Sequence, residues 1–261
     1  MTKRMSEIVV KNLMMPYYIP LFSSNFPYIL LWVPKNGCTI VNKWFMYHIG
    51  VAGDVSQLNV EMAHNYRDFV LRKRTGYVGE LKEELINGEK TIVKVVRNPY
   101  RRAVSSFYHT LSGEWLITQL GSTVTEGMSF KDYLLKLKSF GESIYELDKH
   151  IAPQYTIGEE QAPICYVKLE NLQQELIKLE RLAGLKASPI NEIAKSSHHF
   201  SSRMRLEGDY ANRVINFADD EEGDLQDLPT VNSLYNEETK ALVEEIFAVD
   251  IHLYRYNLGE Y

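Results

Sequence analysis

The sequence predicts an α/β fold with a mainly parallel central sheet, because three short apolar segments are each followed by a helical pattern. These segments are residues 28–33, 91–96 and 164–169, and they consist mostly of aliphatic and aromatic residues. Near-continuous apolar runs of this kind are typical of strands that are buried on both faces of a parallel sheet. Ligands of such sheets bind outside the carboxyl ends of the strands, so functional residues are expected directly after the three segments.

The other elements follow from local patterns along the chain. Residues 1–27 contain three prolines and are expected to form an irregular arm or an edge strand. Residues 28–50 predict a strand, a loop and a helix, with Gly50 as the end of the helix. Further helices are expected at about residues 66–74, 77–86, 100–111, 130–140, 172–182 and 237–247, and polar loops at 189–210 and 219–224.

The composition indicates an ordinary globular protein, with 45% hydrophobic and 24% charged residues in 261 positions. The formal net charge of −5 argues against a nucleic-acid-binding protein, which would carry a basic surplus. The two cysteines, Cys38 and Cys165, are too few for a disulfide framework and favour a reducing compartment. No apolar run approaches the roughly 18 residues of a membrane span. Together these features predict a cytoplasmic protein that does not cross a membrane.

The first candidate site is the loop Lys35-Asn36-Gly37-Cys38-Thr39, which lies between the first predicted strand and its helix. A strand, a tight loop and a helix N-terminus direct backbone N–H groups at an anion, and Lys35 adds a full positive charge there. The residues therefore predict a phosphate-binding loop, with a plain surface turn as the alternative when the loop is considered alone. The loop lacks the G-x-x-x-x-G-K-[ST] pattern and an acidic strand end for Mg²⁺ beside it, which disfavours a kinase or an ATPase.

The second candidate site follows the second predicted strand. Arg97 stands at the end of that strand, and Ser105 comes eight residues later, about two turns into the next helix. An arginine can bind a phosphate with its fork of N–H groups, and a serine can donate one more hydrogen bond. Two phosphate sites at neighbouring strand ends suit a nucleotide that carries phosphates on both sides of its ribose.

These motifs resemble those of a known enzyme family. Residues 33–39 look like the 5′-phosphosulfate loop of sulfotransferases that use 3′-phosphoadenosine 5′-phosphosulfate (PAPS), and residues 97–105 resemble their 3′-phosphate motif, R-[DN]-P-[FY]-x-R-x-x-S. Residues 150–154, 166–172 and 242–256 are similar to segments of carbohydrate sulfotransferases of the chondroitin and dermatan type. The resemblance covers roughly residues 28–256, and the chain departs from it at Asn36, at Cys38 and near residues 51–90.

The resemblance implies a P-loop-like, three-layer α/β/α fold in a single sulfotransferase domain over residues 1–261, with residues 1–27 as its N-terminal arm. It implies the transfer of a sulfuryl group from PAPS to a hydroxyl of a carbohydrate or glycolipid acceptor, with no metal. Lys35 is the expected catalytic cation. The backbone N–H groups of Asn36, Gly37, Cys38 and Thr39, with the Thr39 hydroxyl, are expected to bind the 5′-phosphate. Arg97 and Ser105 are expected to bind the 3′-phosphate.

The acceptor hydroxyl also needs a general base, and the histidines supply the candidates. His64 lies between the two phosphate motifs, where related glycan sulfotransferases often carry the base, and a surface histidine is the alternative for this position. His150 belongs to a family-like segment and is the second candidate, whereas His109 is expected to be structural. The loop with Ser197, His198, His199 and Arg203 is similar to one that covers the nucleotide in relatives.

Three weaker predictions concern charge and reactivity. Arg101 and Arg102 are candidates for contact with an anionic acceptor, and pairing with a carboxylate is the alternative for one of them. Cys38, at a helix N-terminus, is expected to have a lowered pKa. The acidic residues at 219–224 are expected to be solvated, because they lack the spacing of a calcium loop.

Two other functions remain open from the sequence. The first is a P-loop-like nucleotide phosphotransferase, which would turn over ATP with Mg²⁺. The second is a non-catalytic protein that binds 3′,5′-adenosine bisphosphate and sulfates nothing. The presence of Lys35, Arg97 and Ser105 together argues against the second function.

Overall fold

The structure is a computed structural model that describes residues 5–15, 18–51, 59–195, 200–217 and 226–261. Its α-helices, in chain order, are α1 (Glu7–Leu13), α2 (Cys38–His48), α3 (Val60–Asn65), α4 (Tyr77–Asn87), α5 (Pro99–Leu111), α6 (Glu114–Gln119), α7 (Phe130–Ser139), α8 (Leu172–Leu182), α9 (Ile190–Ile193), α10 (Glu237–Ile246) and α11 (Ala248–Leu253). Its strands are β1 (Tyr28–Leu31), β2 (Thr91–Val96), β3 (Met128–Ser129), β4 (Ile164–Lys168), β5 (Met204–Leu206), β6 (Val214–Ile215) and β7 (Leu228–Pro229). A π-helical segment, Tyr66–Leu71, follows α3 directly.

The chain divides into two compact units, and residues 1–96 and 155–197 form the first. This unit contains a three-stranded parallel sheet in the order β1-β2-β4. All four residues of β1 and five of the six residues of β2 are buried, so both faces of these strands are covered. The prediction of an α/β fold with a mainly parallel sheet is therefore confirmed.

The second unit consists of residues 97–154 and 198–261, and it has its own apolar core. Helices α5, α7 and α10 supply much of this core, including Phe107, Phe130 and Val243. The short strands β3 and β6 pair in antiparallel fashion, and β5 pairs with β7 in parallel fashion. The prediction that residues 1–261 form a single domain, with an arm at 1–27, remains a prediction.

The expected irregular arm is wrong at its beginning, because residues 7–13 form α1. Ser6 caps this helix by accepting a hydrogen bond from the Val9 N–H, and Val9, Val10 and Leu13 are buried on one side. The prolines that suggested an irregular arm all come after the helix. Leu21 forms a single antiparallel bridge with Leu30 of β1, which agrees with the edge-strand alternative at that position.

Most of the other predicted boundaries lie close to the observed ones, and the larger differences follow. Strand β1 ends at Leu31, two residues earlier than expected, because Trp32 and Val33 belong to the loop. The predicted polar loop at 189–210 contains α9 and β5. Helices α3, α6 and α11 were not predicted, and the helix expected at 66–74 is the shorter π-helical segment Tyr66–Leu71. None of the helices in the described part of the chain is both long enough and apolar enough to cross a bilayer.

Candidate active site

The loop that follows β1 has the backbone geometry of an anion-binding turn. Lys35 has a φ of 68° and Gly37 a φ of 74°, so two residues of the loop adopt the left-handed conformation. Left-handed residues that alternate with right-handed or extended ones turn successive N–H groups toward a common concavity, which favours an anion. This backbone conformation suits an anion, and phosphate binding by the loop stays a prediction.

Gly37 leaves the N-terminus of α2 open. It is the N-cap residue of α2 and, having no side chain, forms no capping hydrogen bond to the helix. The first-turn N–H groups of any helix lack acceptors within the helix, and here they belong to Cys38 and the residues after it. A side chain at position 37 is disfavoured by the positive φ, and a Cβ atom there would lie 2.6 Å from Leu169 Cδ1, which would have to shift.

Asn36 shapes the loop from within the core. Its side chain is buried, and Nδ2 donates a hydrogen bond of 3.1 Å to the main-chain oxygen of Val95 in β2. Its backbone N–H donates to the Val33 oxygen at 3.2 Å. The N–H that was expected to bind the 5′-phosphate thus has an acceptor inside the loop, and the predicted phosphate contact of Asn36 stays a prediction.

His64 lies beside this loop. It occupies the last turn of α3, and its Nε2 atom is 3.4 Å from Oγ1 of Thr39 in the first turn of α2. Both side chains are half-buried. The structure therefore brings together two of the residues that the sequence singled out separately, although 25 positions separate them in the chain.

Cys38 differs from the expectation for a thiol at a helix N-terminus. Burial raises the pKa of the Cys38 thiol, and this effect outweighs the opposing charges of Arg67 and Lys35. The expected lowering of this pKa is therefore wrong. A neutral thiol is a poor nucleophile, so Cys38 is not suited to covalent catalysis.

Arg67, which the sequence reasoning did not select, also lies near the loop. It belongs to the π-helical segment, and its guanidinium carbon is 3.9 Å from the centroid of the Trp32 ring. Trp32 precedes Lys35 by three positions. The signal in the sequence was weak, because Arg67 is one of four arginine and lysine residues between positions 67 and 74.

The backbone of Arg97 is held on both sides by one buried side chain. Gln154 accepts a hydrogen bond from the Arg97 N–H at 2.9 Å and donates one to the Arg97 oxygen at 2.7 Å. The N–H of Gln154 donates in turn to the buried carboxylate of Asp250 at 3.0 Å. These bonds connect three family-like segments of the second unit and fix the backbone from which the Arg97 side chain extends.

The neighbours of Arg97 in its motif are structural. Asn98 caps α5 by accepting hydrogen bonds from the N–H groups of Tyr100 and Arg101. Pro99 occupies the first helical turn, where its missing N–H costs nothing. Tyr100 donates to Glu244 and accepts a hydrogen bond from the Gly259 N–H. The motif therefore starts α5 and anchors it within the second unit.

Arg102 is not available to an acceptor. Its side chain is buried and donates to the main-chain oxygens of Ala152 and Lys149, at 2.8 and 2.7 Å. The prediction that Arg102 meets an anionic acceptor is therefore wrong. Arg101 is exposed and Ser105 is half-buried, and the spacing of four residues places them on one face of α5.

His150 belongs to a second group of polar and aromatic side chains. Its Nδ1 atom is 2.6 Å from the Asp148 carboxylate, and its ring is tilted against that of His109 with centroids 4.6 Å apart. The half-exposed ring of Trp115 meets it edge-on at 5.9 Å. Since a carboxylate accepts the proton of Nδ1, the Nε2 atom is left as the basic nitrogen, as in other His–Asp pairs.

The loop expected to cover the nucleotide is described only in part. Ser197, His198, His199 and the acidic residues 219–224 lie outside the described residues. Arg203 donates from Nε to the Gln226 oxygen at 2.9 Å, and its guanidinium lies over the Phe217 ring. Its contact with adenosine or with a 3′-phosphate stays a prediction.

Comparison with known families agrees with these motifs. The model of the sulfotransferase family matches residues 23–257, which is most of the chain and includes all the predicted site residues. Searches among curated proteins and among solved structures find no significant match. A match of this extent shows the family, so the chain belongs to the sulfotransferase family and is a transferase.

Proposed function

We propose that this sulfotransferase uses PAPS as its donor and a hydroxyl of a carbohydrate or glycolipid as its acceptor. The observation that carries the proposal is the loop of residues 35–39, which combines left-handed backbone at Lys35 and Gly37 with a cation and an open helix N-terminus. The family match supports sulfuryl transfer in general. The resemblance to chondroitin- and dermatan-type enzymes supports the choice of acceptor. We also infer the P-loop-like, three-layer arrangement of that family.

The donor set of the loop fits the phosphosulfate end of PAPS. The N–H groups of Gly37, Cys38 and Thr39 and the Thr39 hydroxyl would bind the 5′-phosphate, and Lys35 would neutralise its charge. Arg97 would bind the 3′-phosphate in a bidentate manner, and Ser105 would donate one hydrogen bond to it. This second contact would discriminate against ATP, which has no 3′-phosphate.

PAPS supplies a sulfuryl group on a good leaving group, a 5′-phosphate. Lys35 would stabilise the negative charge that develops on the oxygen between sulfur and phosphorus as the S–O bond breaks. A histidine would take the proton of the acceptor hydroxyl while the new O–S bond forms. The residues of the chain thus position the reactants and offset charge, as in phosphoryl transfer.

His64 and His150 are the two candidates for the base, and His64 is our proposal. Its contact with Thr39 places its imidazole next to the loop that would hold the sulfuryl group. His150 has the better defined hydrogen-bond partner, Asp148. His64→Ala should lower kcat and abolish the rise of kcat with pH. If His64→Ala leaves the pH profile of kcat unchanged and His150→Ala abolishes the rise, the base is His150 instead.

Nucleotide binding tests the donor assignment. The chain should bind adenosine 3′,5′-bisphosphate more tightly than ADP or ATP in calorimetry without Mg²⁺, and Arg97→Ala should remove that preference. Mg²⁺-dependent turnover of ATP would favour the phosphotransferase instead. Tight binding of the bisphosphate without sulfation of any acceptor would favour the non-catalytic protein.

A further inference from the structure

Arg67 is a buried cation beside the phosphosulfate loop, with only 7% of its surface exposed. Its guanidinium carbon lies 3.9 Å from the centroid of the Trp32 ring, so the two groups are in cation–π contact. His64, one turn earlier in the chain, contacts Thr39. The segment formed by α3 and the π-helical turn therefore approaches the loop at two points. Such π-helical turns are often found at functional sites.

Two of the three guanidinium nitrogens of Arg67 donate hydrogen bonds to the Asp68 carboxylate, and the third does not. Nε donates to Oδ1 of Asp68 at 2.9 Å, and Nη2 donates to Oδ2 at 2.7 Å. Nη1 is buried and has no hydrogen-bond partner among the described residues. A buried charged donor without an acceptor is unfavourable, so its presence indicates that an acceptor arrives with a ligand.

The surroundings of Nη1 indicate which ligand this is. The positive charges of Arg67 and Lys35 both act on the Cys38 thiol and lower its pKa, against the larger effect of burial. Both positive charges therefore act at the first residue of α2, whose N-terminus is open. Two cations and the positive end of a helix favour a group with more than one negative charge.

We propose that Arg67 is a donor-binding residue, whose Nη1 donates to the 5′-phosphosulfate held at the N-terminus of α2. The inference deepens the proposed function and rests on it. Asp68 fixes two of the three guanidinium nitrogens, so the third is presented to the anion without loss of side-chain freedom on binding. A lysine at this position could not bind the Asp68 carboxylate and the anion at the same time in this way, because it lacks the planar fork of N–H donors.

The contribution of the 5′-phosphate to affinity tests this role. Adenosine 3′,5′-bisphosphate and adenosine 3′-monophosphate differ only in that phosphate, so the ratio of their Kd values isolates it. Arg67→Gln should reduce this ratio about tenfold, because a charged hydrogen bond to phosphate is lost. Arg72→Gln is the matched control, since Arg72 directly follows the π-helical turn and also pairs with Asp68. It should leave the ratio unchanged.

Arg67→Lys covers the case in which Arg67→Gln fails to fold, and it should reduce the ratio by an intermediate factor. A ratio equal to that of the wild type in whichever variant folds would overturn the role of Arg67 and leave the proposed function intact. A wild-type chain that binds neither nucleotide would contradict the proposed function. In that case the rise in melting temperature on addition of inorganic phosphate would decide the role of Arg67. If the Arg67 variant loses this rise, Arg67 belongs to an anion site. If the variant keeps it, the role of Arg67 is overturned.

Discussion

Lys35 combines a strained backbone with the charge that the proposed chemistry needs. Non-glycine residues rarely adopt a φ near 68°, and such conformations cost of order 1–3 kcal/mol unless the surroundings enforce them. Here Asn36, the residue after Lys35, is anchored to β2 by the hydrogen bond that its buried side chain donates. The packed fold therefore fixes the backbone from which the Lys35 side chain extends.

Replacement of Lys35 by alanine should affect chemistry much more than folding. Both residues are L-amino acids, so the strain at position 35 persists, but the cation that stabilises the leaving oxygen is lost. We expect kcat to fall by about two to three orders of magnitude, as for other preorganised electrostatic groups. Steady-state kinetics and thermal unfolding measure the two effects. Lys82→Ala, on the exposed side of α4, is the control, and near wild-type kcat for Lys35→Ala would refute the role.

Gly37 and Gly50 offer a matched pair of substitutions in the first unit. Both have a φ of 74°, but a Cβ atom at position 37 would lie 2.6 Å from Leu169 Cδ1, whereas none of the neighbouring atoms lies within 4 Å at position 50. Gly50→Ala should cost about 1–2 kcal/mol of unfolding free energy from the left-handed backbone alone. Gly37→Ala should cost about 1 kcal/mol more, because the end of the Leu169 side chain must shift away from the added methyl group. Urea unfolding measures the difference, and equal losses would show that Leu169 does not restrict the loop.

At the scale of elements, α2 and α8 are joined by a buried polar network. Glu180 of α8 accepts hydrogen bonds from Trp44 Nε1 at 2.7 Å and from His48 Nε2 at 3.2 Å, both in α2. Burial lowers the pKa of His48 more than Glu180 raises it. His48 is therefore neutral in the folded protein, and its N–H is the donor to the carboxylate.

This network predicts a loss of stability in mild acid. The pKa of His48 is lower in the folded than in the unfolded chain, so the unfolded chain takes up a proton first as the pH falls through the ordinary histidine pKa of about 6.5. The unfolding free energy should decrease between about pH 7.5 and 5.5, a range that spans the ordinary histidine pKa. His48→Gln, which keeps a donor but does not titrate, should reduce this decrease.

His252→Gln is the control for that measurement, because it removes an exposed histidine of α11. Urea unfolding at both pH values gives the comparison. An equal pH dependence in the wild type and in His48→Gln would contradict the assignment.

The segment that ends at Gln154 supports the backbone of Arg97 in the predicted 3′-phosphate motif. Gln154→Ala removes both hydrogen bonds to the Arg97 backbone, each worth about 1 kcal/mol net. We expect weaker binding of adenosine 3′,5′-bisphosphate but little change for adenosine 5′-monophosphate, which has no 3′-phosphate. Calorimetry with both nucleotides measures this, with the exposed Gln161→Ala as control. An equal loss for both nucleotides would indicate a general defect instead of a local one.

Over the whole molecule, the sheet and its long helices could be predicted from the sequence. The bounds of β2 and α8 agree with the expected ones because apolar spacing and the flanking Asn98-Pro99 and Gly184 are local signals. Helix α1 was missed because the later prolines outweighed the short pattern of Val9, Val10 and Leu13.

The contacts that define the candidate site could not be predicted in the same way. His64 meets Thr39 across 25 residues, and Gln154 meets Arg97 across 57. The sequence suggested that Arg102 contacts an anionic acceptor, yet its guanidinium donates hydrogen bonds to two carbonyl groups of a distant segment. Long-range hydrogen bonds of this kind depend on the packed fold and leave no periodic pattern in the chain. The functional roles of the predicted site residues remain predictions.

We propose that the chain moves a sulfuryl group from PAPS to a sugar hydroxyl. The most direct measurement is the transfer of radiolabelled sulfate from PAPS to a panel of glycans, lipid-linked sugars and small phenols, with the wild type and Lys35→Ala side by side. We expect label on at least one carbohydrate with the wild type and almost none with the variant. Label on no carbohydrate, or label that is independent of Lys35, would contradict the account.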